Sequence, residues 1–420
     1  MTFIYINIIL FLKDNYGDKM IFIENIEKFE YENFVKTHEK SHFLQSYAWG
    51  EFCKEKNNFF PHYVALKDDN KKILATALLL QKKLPLGYSY FYIPRGFVAN
   101  YKDTEIIKEF TTHISNYIKK YKGIYFKIDP DIKLQTIDKD ANPIPGENNY
   151  ELVRFLKKIG YKRNKLTYFF ESEQPRYTFR INLKDKSEEQ IIENYSKTAR
   201  RFLKKSGNYV IDVGCGEYED LDDFSRLMVE TEKRQNFYSH DSDYYKKFYE
   251  YFCKNNNVKL MTAYLDIDKT IKKLEENSNA KEEISFLKEK RENNTPNRIL
   301  VSSYITVFYG NKAWYLYGAN DMNYKFTYAN YKLFNYQIMT SVREKKEIFD
   351  EFGTVGKPNS SKKVAGLHEF KKKFGGEYTE FIGEFDYVTL PFTYFIFTKL
   401  VYFRRKFVKI LNRKKVKQKR

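Results

Sequence analysis

The sequence predicts a mixed α/β fold of two similar domains, with largely antiparallel sheets and a cleft between them. Three observations carry this expectation. Strand-like apolar alternation is interleaved with helical spacing along the chain. The order strand, two helices, several antiparallel strands, helix, strand occurs twice, without an accompanying sequence repeat. A length of 420 residues with 42% hydrophobic content is enough for two or three domains with sizeable cores. A cleft between paired domains is a common location for a substrate site.

The first domain reads from Met20 to Glu173. "YENFVKTHEK" and "YAWGEFCKEK" have helical spacing, and "HYVALKD" and "ILATALLLQKKL" are strands joined by a turn near Asp69 and Asn70. "YSYFYIPRG" is a further strand, a helix follows from Asp103 to Tyr121, and "GIYFKIDP" is a strand closed by proline. The second domain opens at the strand "RYTFRINL" and continues into a helix around Ser187 to Lys205 and the strand "NYVIDVG". Two helical pieces broken near "YSHDSD" lead to the strand "VKLMTAYLD". The charged stretch from Asp268 to Asn293 has Ile271, Leu274, Ile284 and Leu287 at approximate helical spacing, which predicts a helical insertion, either one helix or a hairpin. "RILVSSYITVFYG" and "KAWYLYGAN" form a β-hairpin around Gly310 and Asn311. A tyrosine-rich helix, "YKFTYANYKLFNYQIM", follows; its tyrosines mostly pack, with one or two expected to reach a ligand.

Lys and Arg exceed Asp and Glu by 19, which favours polyanionic partners such as RNA, nucleotide phosphates or anionic lipid headgroups. About half of that excess lies in the last twenty residues, which hold ten basic and no acidic side chains. Cys53, Cys215 and Cys253 have no paired spacing and no secretory signal is evident, so a reducing cytoplasm is expected. The six histidines are scattered without a Cys/His cluster, which argues against a metal, and no organic cofactor motif is defensible. The apolar stretch from Phe3 to Leu12 is too short to span a bilayer. Residues 1–19 read as a leader of upstream translated sequence or a mis-assigned start, with an interfacial anchor as the competing reading.

Several motifs carry chemistry. "VIDVGCGEYED" imitates the glycine turn of a nucleotide-binding domain, but bulky Glu217, Tyr218 and Glu219 follow where a helix should open, so it reads as a strand ending in a glycine turn. "KTARRFLKKSGNYV" places Arg200 with Lys204 and Arg201 with Lys205 on adjoining faces of one helix, a donor array suited to phosphate and equally to a solvated face. Gln45 and Trp49 lie one helical turn apart, where the indole can wall a site or fill a core. Arg95, just beyond a strand and before a glycine, can meet an anion or form a structural salt pair. The segment from Gly356 to Asp386 joins a glycine-flanked apolar turn, the basic run "FKKKFGG" and a strand; a basic helix end closed by glycines is its structural alternative. No Ser/His/acid order, paired carboxylate or Walker loop is present, and adjacency to Glu369 does not orient His368. Chemistry by positioning and charge stabilisation is therefore favoured.

Eight ordered segments, "FLQSYAWGEF", "YIPRG", "FKIDP", "ARRFLKKSGNYV", "AWYLYGAN", "FDEFG", "GLHEFKKKFGG" and "EFIGEFDYV", resemble the successive signatures of the FemABX family of peptidoglycan interpeptide-bridge transferases, over about Met20 to Val388. The resemblance implies two acetyltransferase-type (GNAT-like) domains, residues 20–173 plus 377–400 and residues 174–376, with the insertion at 268–293 and a basic tail at 401–420. It implies transfer of glycine, alanine or serine from aminoacyl-tRNA, the co-substrate, to an amine of the stem peptide of a lipid-linked or UDP-linked precursor. It places Phe370 and Lys371 at the transfer site, with Lys371 stabilising charge, and Asp350 as a carboxylate able to orient the amine or to serve the strand end. Arg201, with Arg200 as the alternative register, would hold precursor phosphate, alongside Trp49, Gln45 and Arg95. Glu51 stands where a basic residue is sometimes found, and "FDEFG" departs from the usual Tyr-Asp form. The apolar "LPFTYFIFTKLVYF" and basic tail suit the inner membrane surface or tRNA. An acyl-coenzyme A transferase, lacking the usual pyrophosphate loop, and a non-catalytic membrane-associated RNA-binding protein remain the competing readings.

Overall fold

The computed structural model describes residues 20–235, 240–254, 256–277, 280–357 and 362–401. The leader and almost all of the basic tail expected from the sequence lie outside these residues. Strands β1 (Ile21–Ile23), β2 (Phe60–Lys67), β3 (Ile73–Lys83), β4 (Ser89–Ile93), β5 (Val98–Ala99) and β6 (Gly123–Ile128) open the chain. They are followed by β7 (Lys133–Ile137), β8 (Pro143–Asn148), β9 (Tyr161–Arg163), β10 (Tyr177–Asn182) and β11 (Ile211–Cys215). The long strands β12 (Val258–Asp266), β13 (Arg298–Tyr309) and β14 (Lys312–Asn320) precede the short β15 (Ile348–Asp350), β16 (Glu377–Phe381) and β17 (Phe385–Val388).

These strands form two mixed sheets. One runs β1-β2-β3-β4-β6-β17-β9, with β5 on β3; the other runs β11-β12-β13-β14-β15-β10-β16-β7-β8. Each contains a parallel pair, β4 with β6 and β14 with β15, while the other pairings are antiparallel. A helix crosses over between the members of each parallel pair, Thr104–Lys119 in the first sheet and Ala329–Arg343 in the second. The Asp103 carboxylate caps the first of these by accepting from Ile106 N at 3.1 Å, and Ile107, Phe110, Ile114 and Ile118 recur at helical spacing on its buried face. The repeated element order is thus a duplicated sheet and crossover.

Sheet membership crosses the boundaries expected from the sequence in two places. The hairpin β7–β8, within residues 20–173, pairs through β7 with β16 in the second sheet, and only β17 of the returning segment enters the first. Strands β7, β8, β9 and β15 carry too few alternating residues to stand out in sequence, and the nine-residue helix Tyr150–Lys158, amphipathic through Val153 and Leu156, is not among the expected elements. The helix expected over Ser187 to Lys205 is two helices, Glu188–Glu193 and Lys197–Ser206, because the first ends at its C-cap Asn194 and Ser196 caps the second by accepting from Ala199 N. The insertion is a helical hairpin, Ile267–Asn277 and Lys281–Glu292. One aromatic cluster joins the sheets' layers: Phe43 meets Trp314 at 5.1 Å and Phe52 meets Phe248 at 5.5 Å. The hairpin tip at Gly310 seats against the first domain, where a Cβ would fall 2.8 Å from Lys36 O.

Candidate active site

The segment around Lys371 folds as a basic helix end closed by glycine. Helix Lys362–Lys371 passes into a 3-10 turn, and Gly375 reverses the chain at φ 76°, where a Cβ would lie 2.5 Å from Asn194 O. This delivers the Lys371 ammonium beneath the strand exit after β15. It is 3% exposed and donates to the carbonyls of Glu351 (2.5 Å), Phe352 (2.9 Å) and Gly353 (2.8 Å). Phe352 takes φ 54°, a conformation costly for a bulky residue, and the lysine's three donors hold it there. Burial lowers the Lys371 pKa to about 8, with Glu351 and Asp350 opposing the shift. Glu351 is fully buried and neither carboxyl oxygen has a partner among the described residues. Burial drives its pKa well above the usual range despite Lys371, so its neutral form is favoured. His368, equally buried, shares a hydrogen bond between Nδ1 and Thr354 Oγ1 at 3.1 Å and packs between Phe179 and Tyr378.

Asp350, at the end of β15, enters a charge network between the two sheets. Its carboxylate accepts from Thr178 Oγ1 (2.5 Å), Arg180 Nε (2.8 Å) and Phe352 N (2.8 Å). Arg180 also donates to Asp131 at 2.5 Å, and Lys312 Nζ lies 3.4 Å from that carboxylate and 3.1 Å from Ser41 O. Burial alone would raise the Asp131 pKa, but Arg180 and Lys312 hold it well below the usual range. Against burial, Asp131 and Asp350 raise the Arg180 pKa. Arg95 adjoins this network: its guanidinium lies 4.5 Å from the Phe381 ring centroid and that of Arg180 4.7 Å from it. Arg95 takes φ 58°, its N donates to Asp129 at 2.6 Å and its Nη2 to Pro175 O at 3.1 Å. Burial pushes Asp129 up to about 7, with Arg95 opposing.

On the second sheet a pocket of about 410 Å³ opens at the start of helix Ala329–Arg343. Tyr324, Phe326, Tyr328 and Tyr331 supply aromatic walls, and Lys325 stands at the rim. Phe370 packs on Tyr331 at 5.2 Å, and Phe202, beside Arg201, stacks on Tyr328 at 4.5 Å. Lys373 donates to the Tyr331 hydroxyl at 3.3 Å, and Lys205 lies 5.9 Å from the Tyr328 ring. The insertion closes one side, with Phe286 5.7 Å from both Tyr324 and Phe326. Aromatic faces under basic side chains can stack a nucleobase and neutralise its phosphates.

The residues singled out in sequence fall into separate places. Phe370 touches the pocket wall, while Lys371 and Asp350 bracket the loop behind it. Arg200 and Arg201 are exposed on helix Lys197–Ser206, and Arg201 is not brought against Lys371. Trp49 is half-buried among Phe43, Phe52 and Phe248. Gln45 is buried, donating to Pro94 O at 2.6 Å and accepting from Leu78 N at 2.8 Å, so its amide ties strands together. Sequence reasoning passed over Arg180, Asp131, Lys312 and Glu351. The one available signal was the polar period-two face of β10, where Thr178, Arg180 and Asn182 alternate with apolar residues. Among the described residues no cluster of three or more His, Cys, Asp or Glu could hold a metal ion.

Comparison with known proteins adds a family. The model of the FemAB family matches residues 26–297 and 275–401. The lipid II:glycine glycyltransferase of Staphylococcus haemolyticus is 29% identical over 401 residues, spanning 87% of this chain and 92% of that protein. Its counterpart in Staphylococcus epidermidis is 27% identical over 398 residues, spanning 87% and 92%. The crystal structure of FemX superposes with a TM-score of 0.76 at 24% identity, covering 90% of this chain and 99% of that one, which shows a shared fold.

Proposed function

This chain belongs to the FemAB family, and from that premise we propose that it is an aminoacyltransferase that moves an amino acid from aminoacyl-tRNA onto an amine of the stem peptide of a peptidoglycan precursor. The observation that carries this reading is the family match, which runs through both sheets and the returning strands. The names of the relatives favour glycine as the donor and a lipid-linked acceptor. Both substrates are anionic, in keeping with the basic excess of 19 charges. Charged tRNA is a cytoplasmic substrate, so the enzyme works in the cytoplasm, at the inner membrane face where a lipid-linked acceptor is presented.

The reaction is ester aminolysis. The neutral amine attacks the aminoacyl carbonyl carbon, a C–N bond forms as the C–O bond to the terminal ribose breaks, and the proton lost by the amine is balanced by the one gained by the ribose hydroxyl. No acyl-enzyme is required, so the protein's task is orientation and charge stabilisation. The aromatic pocket with its basic rim suits the tRNA end, and Phe370 packs behind its wall on Tyr331. Lys371 supplies positive potential behind that wall and keeps the 351–353 loop in place; direct donation to the oxyanion requires one carbonyl bond to be exchanged. Asp350 acts on the amine through its hold on Arg180 and the loop. Arg201 contacts the precursor diphosphate, with Arg200 beside it.

Radiolabelled glycine on tRNA should pass to lipid-linked precursor incubated with the full chain. No transfer from any of the common aminoacyl-tRNAs would overturn the proposal. Lys371→Met should lower kcat by about tenfold or more while changing acceptor KM little; an unchanged kcat removes Lys371 from the mechanism.

A further inference from the structure

The last described helix, residues 391–401, has two faces of unlike purpose. Tyr394 and Phe397 point onto the first sheet: the Tyr394 ring lies 5.2 Å from Tyr125 and its hydroxyl donates to Asp386 at 2.8 Å, while Phe397 lies 6.0 Å from Tyr90. The opposite face carries Phe392, Phe395, Ile396 and Leu400, exposed by 78%, 59%, 42% and 63%. Their spacing of three and four residues makes one continuous apolar stripe on a helix anchored from behind. Leu86, 85% exposed at the tip of the turn Pro85–Gly87, stands at the same end of the sheet. Ser89 just after it pairs with Gly123, whose carbonyl accepts from Thr389 Oγ1 at 2.5 Å. Beyond the helix the sequence continues with nineteen residues that hold ten Lys and Arg and no Asp or Glu, and Phe403, Phe407, Ile410 and Leu411 keep the three-to-four spacing.

We propose that this stripe, with Leu86 at the same end of the sheet, is the surface that docks on an anionic lipid bilayer, lying in the interface rather than crossing it. Among the described residues no helix is long and apolar enough to span a membrane. The apolar stripe enters the headgroup boundary, and the cationic sequence that follows complements the anionic lipid charge. The first domain then lies against the bilayer. The inference deepens the lipid-linked acceptor reading above and rests on it.

The test is co-sedimentation of the full chain with phosphatidylcholine vesicles, with and without phosphatidylglycerol. The parent should bind the phosphatidylglycerol vesicles, less so at high salt. The triple variant Phe392→Ser/Phe395→Ser/Leu400→Ser should bind them about tenfold more weakly or worse, with the parent's melting temperature and unchanged transfer to a water-soluble acceptor peptide. A variant that binds vesicles as the parent does overturns the proposal. So does a parent that is dimeric in solution, becomes monomeric in the variant and ignores vesicles, since a second copy then covers the stripe. Loss of tRNA binding without loss of vesicle binding also overturns it. Vesicle binding is read without turnover, so an absent glycyl transfer would refute the proposed reaction while leaving this result to stand or fall separately.

Discussion

His368 shows how a residue's chemistry follows from its surroundings. It is fully buried between aromatic rings, bonded through Nδ1 to Thr354, and burial lowers its pKa to about 4 from the usual 6.5. The folded state therefore keeps the imidazole neutral while the unfolded chain takes up a proton below pH 6.5. Between those values the unfolded state binds more protons, so stability falls as pH drops from 6.5 toward about 4. Relative to His368→Gln, the parent should lose on the order of 2 kcal/mol across that window, as measured by urea unfolding. Equal slopes for parent and variant would place the imidazole in water. Lys371 has the same lesson in charge: a lysine within a basic run has all three donors engaged inside the protein.

At the scale of elements, the helix Lys197–Ser206 is organised by its caps and neighbours rather than by its charges. Ser196 starts it, Ala199 and Ser206 are buried, and Phe202 stacks on Tyr328. Arg200 and Arg201 remain exposed, so replacing them perturbs packing little. Arg201→Gln should raise the KM for a diphosphate-bearing acceptor several-fold, with kcat unchanged and stability within about 0.5 kcal/mol of the parent. An unchanged KM would return both arginines to the solvated face that their spacing alone also allowed. The helical hairpin Ile267–Asn277 and Lys281–Glu292, legible from its apolar spacing, meets the pocket wall through Phe286, which reaches Tyr324 and Phe326.

At the scale of the whole molecule, the two sheets are held in register by a shared aromatic core and by the chain of Asp350, Arg180, Asp131 and Lys312. Arg180→Met should destabilise the protein by about 3–5 kcal/mol in denaturant unfolding, because it leaves two buried carboxylates without their shared cation. A loss below about 1 kcal/mol would mean that water reaches Asp131 and Asp350 freely. The order of long strands and helices, the duplicated architecture, the insertion and the family signatures are legible in the chain, because apolar periodicity and caps act over a few neighbouring residues. Short strands such as β7 and β15 were not legible, since three to five residues carry little periodicity and their pairing comes from distant strands. Packing in three dimensions sets Gln45 and Trp49 into the core, brings Arg95 and Arg180 to Phe381, and buries Glu351 with Lys371. The reason is physical: a charged or amide side chain takes its role from the partners and the dielectric around it, and here those partners arrive from distant segments, as with Lys312, which meets Asp131 from 181 positions away and Ser41 from 271.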